Sequence, residues 1–292
     1  MRKLLLPAVV FGVVLSGPPS YALPVLEQQD KATLAAGSEP LKIPAKGEPA
    51  TPKKPAAAAI AYQKFKSGRF WYHSVKADMN SPMLAAETIH ANNLRNVWKL
   101  IAKRQPIAAI TGTFFAPRQQ KPIADVLVNG KLKVSGSRGT AFGVGWDGGV
   151  KIFDQAFGQK TDWLEYQFGL RGAIRLIKNG IVNPNPKWQK FRDKRLWGRA
   201  ARTGVGLTKT GKLLFVATRS SVTLTELGKA MRSRGVVEAI SLDGGTSTCL
   251  YFNGKMVISP GRRLCNLVVI SLRSGTSAAD AAPARLGAIG KR

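Results

Sequence analysis

Thr210-Gly211-Lys212-Leu213-Leu214-Phe215-Val216 joins a turn dipeptide to a short apolar run. Glycine supplies the positive φ that a tight hairpin turn needs, and the run after it reads as a strand. The same punctuation recurs at Asn129-Gly130, Asp147-Gly148, Asn179-Gly180 and Asn253-Gly254, each between short apolar runs such as Ala124–Val128. The turn recurs, but no repeat period emerges. Two helices are predicted. Leu94, Val97, Trp98 and Ile101 follow helical spacing after Asn92-Asn93, with Pro106 as a stop. The second runs from Thr223 to about Arg234, opened by the capping box Thr223-Leu224-Thr225-Glu226 and closed by Gly235. Many hairpins with few helices imply an α+β fold: a mostly antiparallel or mixed sheet with a few packed helices, in a single domain.

The chain has 292 residues, 45 Lys+Arg against 16 Asp+Glu, and a formal net charge of +29. That length can bury a core without staples, and the charge should attract polyanions. The presence of only two histidines, His73 and His90, argues against multi-histidine metal sites. His73 reads as a strand histidine in Phe70-Trp71-Tyr72-His73, and His90 lies near a helix start. Ser247 lacks a Gly-x-Ser-x-Gly frame, which removes support for a serine hydrolase. Arg2-Lys3, the apolar run Leu4–Leu15 and Ser20-Tyr21-Ala22 read as a signal peptide over 1–22, with an uncleaved anchor as the alternative. Residues 23–60 are a Pro/Ala/Lys-rich linker, 61–273 the folded domain and 274–292 a flexible tail. The expected location is the periplasm or the extracellular space, with envelope association. Export and the scattered placement of Lys and Arg argue against a nucleic-acid partner. They favour an anionic envelope surface.

Two segments carry chemistry. Asp243-Gly244-Gly245-Thr246-Ser247-Thr248 follows the apolar run Ala239–Leu242, so a carboxylate, two glycines and three hydroxyls converge at a strand end. It reads as an anion pocket or as a glycine turn closed by Asp243. Ile110-Thr111-Gly112-Thr113-Phe114-Phe115 reads as a pocket wall or a strand end with packed aromatics. Asp125 is a carboxylate inside an otherwise apolar strand, and Asp78 reads as a strand cap.

Taken in order, these segments resemble the phosphodiester glycosidase family. The resemblance rests on Ile110–Phe115, Pro122-Ile123 leading to Asn129-Gly130-Lys131, Arg202-Thr203 before Gly204–Leu207, the Thr223–Glu226 helix start, Leu242–Thr248, Asn253-Gly254-Lys255 and Arg262 to Asn266. It spans about residues 68–271. Thr111 stands where the family has asparagine, and Thr113 and Thr246 where it has glycines. The resemblance implies hydrolysis of a sugar–phosphodiester linkage at the anomeric carbon, on a phosphate-bearing glycan or glycolipid.

Glycosidases ordinarily use two carboxylates. A phosphate leaves as a stable anion, so one carboxylate and cations that neutralise charge suffice. On this reading Asp243 is the acid/base or nucleophile and Asp125 the second candidate. Arg202 and Arg262 bind phosphate, with Arg175 a further candidate. Thr111, Gly112, Gly244, Gly245, Thr246 and Ser247 hold phosphate or sugar hydroxyls, and Asn266 orients the substrate. No cofactor or metal is called for. Cys249 and Cys265 flank the Asn253-Gly254 hairpin, and export makes them candidates for a disulfide; two buried thiols are the other reading. The alternative function is a non-catalytic module that binds anionic envelope polymer, which the Thr111 and Thr113 departures favour.

Overall fold

The computed structural model describes residues 59–102, 104–116 and 118–273. The expected signal peptide, nearly all of the linker and the tail lie outside them. In chain order the strands begin with β1 (Ile60–Ser67), β2 (Phe70–Asp78), β3 (Leu84–Arg95), β4 (Ala108–Thr111), β5 (Phe115–Ala116), β6 (Lys121–Pro122), β7 (Val126–Val128), β8 (Lys131–Val134) and β9 (Thr140–Gly145). They continue with β10 (Val150–Phe153), β11 (Tyr166–Lys178), β12 (Ile181–Val182), β13 (Ala200–Thr208), β14 (Lys212–Val222), β15 (Val236–Ser241), β16 (Leu250–Phe252), β17 (Lys255–Ile258) and β18 (Leu264–Leu272). Two α-helices are found among the described residues, α1 (Val97–Ile101) and α2 (Leu224–Arg232).

The strands form two large sheets. The first has 11 strands, with the path β1-β2-β14-β13-β15-β11-β7-β8 and with β9, β10 and β12 attached beside it. The second has five, ordered β17-β16-β4-β18-β3. Side chains alternate between faces along a strand, and both faces are covered here. On β14, Leu213, Phe215 and Ala217 enter the core shared with the small sheet, while Leu214 and Val216 turn towards α2. On β18, Val268 and Ile270 enter the shared core, and Leu267 and Val269 pack with α1. Double coverage explains why these strands read as unbroken apolar runs rather than alternating ones. The layers are α1, small sheet, large sheet and α2.

All five turn dipeptides close hairpins: β7–β8, β9–β10, β11–β12, β13–β14 and β16–β17. Asn129, Asn179 and Asn253 have φ near 50°, each followed by a positive-φ glycine, as two-residue hairpin turns require. The Asp125 strand begins at Val126 rather than Ala124.

The expected α+β class is corrected: the protein is mostly β, two facing sheets with one helix on each outer face. The predicted helix around Leu94 is shorter than expected. Leu94 belongs to β3, which runs to Arg95 opposite Leu264. Only Val97–Ile101 is helical, capped by the Asn96 side chain accepting the Trp98 N–H. Strand pairing therefore took the first apolar position of a helical pattern. His90 likewise lies in β3, not at a helix start. The second helix forms as read: both halves of its capping box are made, and Gly235 has φ +84°.

Candidate active site

The chain leaves the large sheet after β15 and enters the small sheet at β16, and Asp243 stands in this crossover. The loop is pinned on both sides. Leu242 N–H donates to Thr203 O on β13, and Asp243 N–H donates to Gly112 O beyond β4. Thr203 Oγ1 donates to Asp243 O at 2.6 Å. The two glycines serve different ends. A Cβ at Gly244 would lie 2.6 Å from Ala201 O, so this residue permits close approach to β13. Gly245 has φ +58° and starts a 3-10 turn to Ser247.

The Asp243 carboxylate is buried, with 7% of the residue exposed. Its Oδ1 accepts the Gly244 N–H at 3.0 Å, and its Oδ2 accepts Arg262 Nη2 at 3.0 Å. Arg262 Nε donates to Ser247 Oγ at 2.6 Å, and the guanidinium lies 4.5 Å over the Phe115 ring. Arg262 Nη1 has no acceptor among the described residues. Burial pushes the Asp243 carboxyl above the ordinary carboxylate range; hydrogen bonds from Ser247, Arg262 and Gly244 and the Arg262 charge pull it back only in part. On the outer side of Arg262 opens a cavity of about 300 Å³, lined by Asn96, Trp98, Met256, Arg262 and Arg263 among others.

The neighbouring polar groups are tightly arranged. Gly112 N–H donates to Asn266 O, and Asn266 Nδ2 donates to Thr113 O at 3.2 Å. Asn266 Oδ1, Thr113 Oγ1 and Thr248 Oγ1 are buried without a hydrogen-bond partner. Such groups cost about 1–3 kcal/mol each unless something satisfies them. Thr113 fits because residue 172 is glycine: a Cβ there would lie 2.5 Å from Thr113 Oγ1.

Not all the expected site residues gather here. Asp243, Gly244, Gly245, Thr246, Ser247, Arg262, Gly112 and Asn266 form one cluster with Thr111 beneath it. The Thr111 hydroxyl donates to Ser247 O at 2.6 Å and accepts the Cys249 N–H at 2.9 Å, so it ties β4 to the loop. Arg202 is buried, and its guanidinium donates to the carbonyls of Val222, Arg195, Leu196 and Gly198. Asp125 accepts the Gly136 N–H at 2.7 Å and Trp163 Nε1–H at 2.9 Å. Arg175 pairs with Asp154 and Glu238 at 3.0 and 2.5 Å.

The disulfide reading is corrected: Cys249 and Cys265 are free and buried. Strand β4 lies between β16 and β18, so the two cysteines sit two strand spacings apart, about 10 Å. A disulfide needs Cα atoms within about 7 Å. Burial pushes the Cys249 thiol up to about 12.

Sequence reading missed Arg195, an exposed residue of the segment before β13, which pairs with Asp193 and feels the Asp243 charge as a small further effect. It also missed Arg171, the largest fully buried side chain among the described residues. The Arg171 guanidinium donates to Gly139 O, Gln159 O, Thr161 Oγ1 and Ala156 O and so fastens the loop after β10. Neither had a signal in one sequence among so many basic residues. Among the described residues no group of three or more His, Cys, Asp or Glu side chains is placed to hold a metal.

The sequence model of the family described as phosphodiester glycosidase matches residues 104–271, which contain the whole Asp243 cluster. The chain belongs to the phosphodiester glycosidase family. A hydrolase-type role follows from that membership. Two solved structures share the fold. One is the catalytic domain of zebrafish N-acetylglucosamine-1-phosphodiester alpha-N-acetylglucosaminidase, auto-inhibited by its pro-peptide: TM-score 0.61 and 20% identity, over 73% of this chain and 82% of that one. The other is a hypothetical protein from Synechocystis: TM-score 0.59 and 15% identity, over 74% of this chain and 62% of that one. No curated protein matches the sequence.

Proposed function

We propose that this phosphodiester glycosidase hydrolyses a sugar-1-phosphodiester, as an exported enzyme acting on a phosphate-bearing envelope glycan or glycolipid. The observation that carries the reading is the buried Asp243 carboxylate held by Arg262 at the crossover between the sheets. Asp243 works on the attacking side, where an ionised carboxylate is needed to activate water or to attack the anomeric carbon. The bond between that carbon and the bridging phosphate oxygen breaks, and its electron pair leaves on the phosphate. The proton of the attacking water passes through Asp243 to solvent. Arg262 meets the developing negative charge, through its uncommitted Nη1 and by exchanging its contact with Asp243. The 300 Å³ cavity beside Arg262 takes the group esterified to the phosphate, with Arg263 on its wall. Gly245 and Thr246, the exposed residues of the same loop, are the groups that meet sugar hydroxyls.

The zebrafish relative is named for the cleavage of N-acetylglucosamine from a phosphodiester, and that linkage is the first substrate to try. The binding-module reading has one observation in its favour: the Thr111 hydroxyl is fully engaged by Ser247 and Cys249 and offers nothing to a ligand. A panel of sugar-1-phosphodiesters with varied sugar and varied esterified group separates the two. Release of free sugar from at least one supports hydrolysis. Tight binding of anionic polymer with no turnover of any member selects the module.

A further inference from the structure

Arg175, read from the sequence as a phosphate ligand, lines a different and larger cavity. It measures about 460 Å³ and is bounded by Asp154, Arg175, Lys178, Asn183, Trp188 and Gln189, among others. Arg175 faces Glu238, whereas the catalytic candidate Asp243 lies five residues further along the chain, past the end of β15. At about 3.3 Å per residue that puts the two sites on the order of 15 Å apart.

The floor of this cavity is a connected network. Arg175 Nε donates to Asp154 Oδ1 at 3.0 Å, Lys178 Nζ to Asp154 Oδ2 at 3.0 Å, and Thr140 Oγ1 to Asp154 Oδ1 at 3.0 Å. Gln189 Nε2 donates to Thr140 Oγ1 at 2.7 Å, and Gln189 Oε1 accepts the Arg175 N–H at 2.9 Å. Each cation here already has a carboxylate, so the cavity offers little net charge to a phosphate. Its walls are of another kind. Trp188 is 66% exposed and Ile181 67%, both far above what an apolar side chain of this size needs for packing. Asn185 Oδ1 accepts the Trp188 N–H at 2.9 Å, which fixes the turn that carries the indole. Asn179 and Asn183 add side-chain amides, each both donor and acceptor.

A flat aromatic face beside amides and charge-paired polar groups matches one ligand chemistry. A pyranose has an apolar C–H face for the indole and a rim of hydroxyls for amides and carboxylates. We infer that this cavity is a binding site for a neutral saccharide, separate from the Asp243 site and independent of its chemistry. It would hold a sugar of the glycan at a distance from the bond being cut.

The test is calorimetric titration of the full chain with the neutral tetrasaccharides cellotetraose, maltotetraose and chitotetraose, and with polygalacturonate as the anionic control. Binding of at least one neutral probe, unchanged between low and high salt, is expected. Trp188→Ala should weaken it at least tenfold and Asn183→Ala several-fold, with melting temperatures unchanged because both side chains are exposed. Asp243→Asn should bind the saccharide as the wild type does, which keeps this result apart from any failure of the hydrolytic reading. Absence of binding to all three neutral probes overturns the inference. So does wild-type affinity in Trp188→Ala, or binding confined to polygalacturonate and abolished by salt.

Discussion

At the scale of single residues, the proposed mechanism rests its chemistry and its pH dependence on the Asp243–Arg262 pair. On that mechanism activity needs Asp243 ionised, and burial raises its pKa. Activity should therefore be present above that raised value and fall as the pH drops through it, placing the acid limb above the ordinary carboxylate range. Arg262→Gln removes a cation that favours the ionised form. It should cut kcat/KM by about 10²–10³-fold and move the acid limb to higher pH; a limb that stays in place would detach Arg262 from Asp243. Gly112→Ala is expected to be severe, since its Cβ would lie 1.9 Å from Asn266 Oδ1. Turnover should fall well below the wild type, while Ala at Gly198, where a Cβ would meet nothing closer than 3.9 Å, should leave the rate alone in the same assay. The Asp154 carboxylate is pushed up by burial but pulled further down by hydrogen bonds from Arg175, Lys178 and Thr140 and by the Arg175 charge, for a net lowering. Its stabilisation is fully present above the unfolded pKa and is lost as pH falls through the lowered folded value. Asp154→Asn should cost about 2 kcal/mol at neutral pH, and the deficit should shrink in acid unfolding measurements. The Asp243 loop was legible in the sequence because glycines and a carboxylate after an apolar run leave few conformations open. The direction of Arg202 was not. On a strand the side chain of Arg202 faces opposite to that of Thr203, and here it satisfies four carbonyls on the helix side of the sheet.

At the scale of elements, turns were the readable feature and pairing partners the hidden one. The five turn dipeptides read between apolar runs all closed hairpins, because positive φ is a local demand that sequence states outright. The neighbour of β16 across the sheet is β4, more than a hundred residues earlier, and no local pattern announces it. That is why a disulfide stayed open on the sequence although the cysteines lie on either side of β4. Thiol titration of unreduced protein in denaturant should find two reactive thiols per chain and almost none in the native state; zero thiols in denaturant would contradict the strand order. The capping box of α2 was equally local. Thr223→Ala removes the hydroxyl that accepts Glu226 N–H, and should lower stability by about 1 kcal/mol in denaturant melts.

At the scale of the whole molecule, the two sheets were not foreseen as a mostly β sandwich because strand pairing between distant segments is not local, and the two expected helices prove short, Val97–Ile101 and Leu224–Arg232. The sandwich matters for function, since the crossover from one sheet to the other is where Asp243, Gly112 and Asn266 meet. The net charge of +29 has a separate use. Few of those cations enter the site, and we propose that the rest serve attraction to an anionic envelope surface, which should weaken steadily as salt rises. The central claim is that Asp243 performs hydrolysis at an anomeric carbon carrying a phosphodiester. It is tested most directly by measuring sugar release from N-acetylglucosamine-1-phosphodiesters and related sugar-1-phosphodiesters by the wild type and by Asp243→Asn, alongside their melting temperatures. The account expects release by the wild type and a loss of at least about 10³-fold in the variant, with the fold intact. Full activity in Asp243→Asn would contradict it.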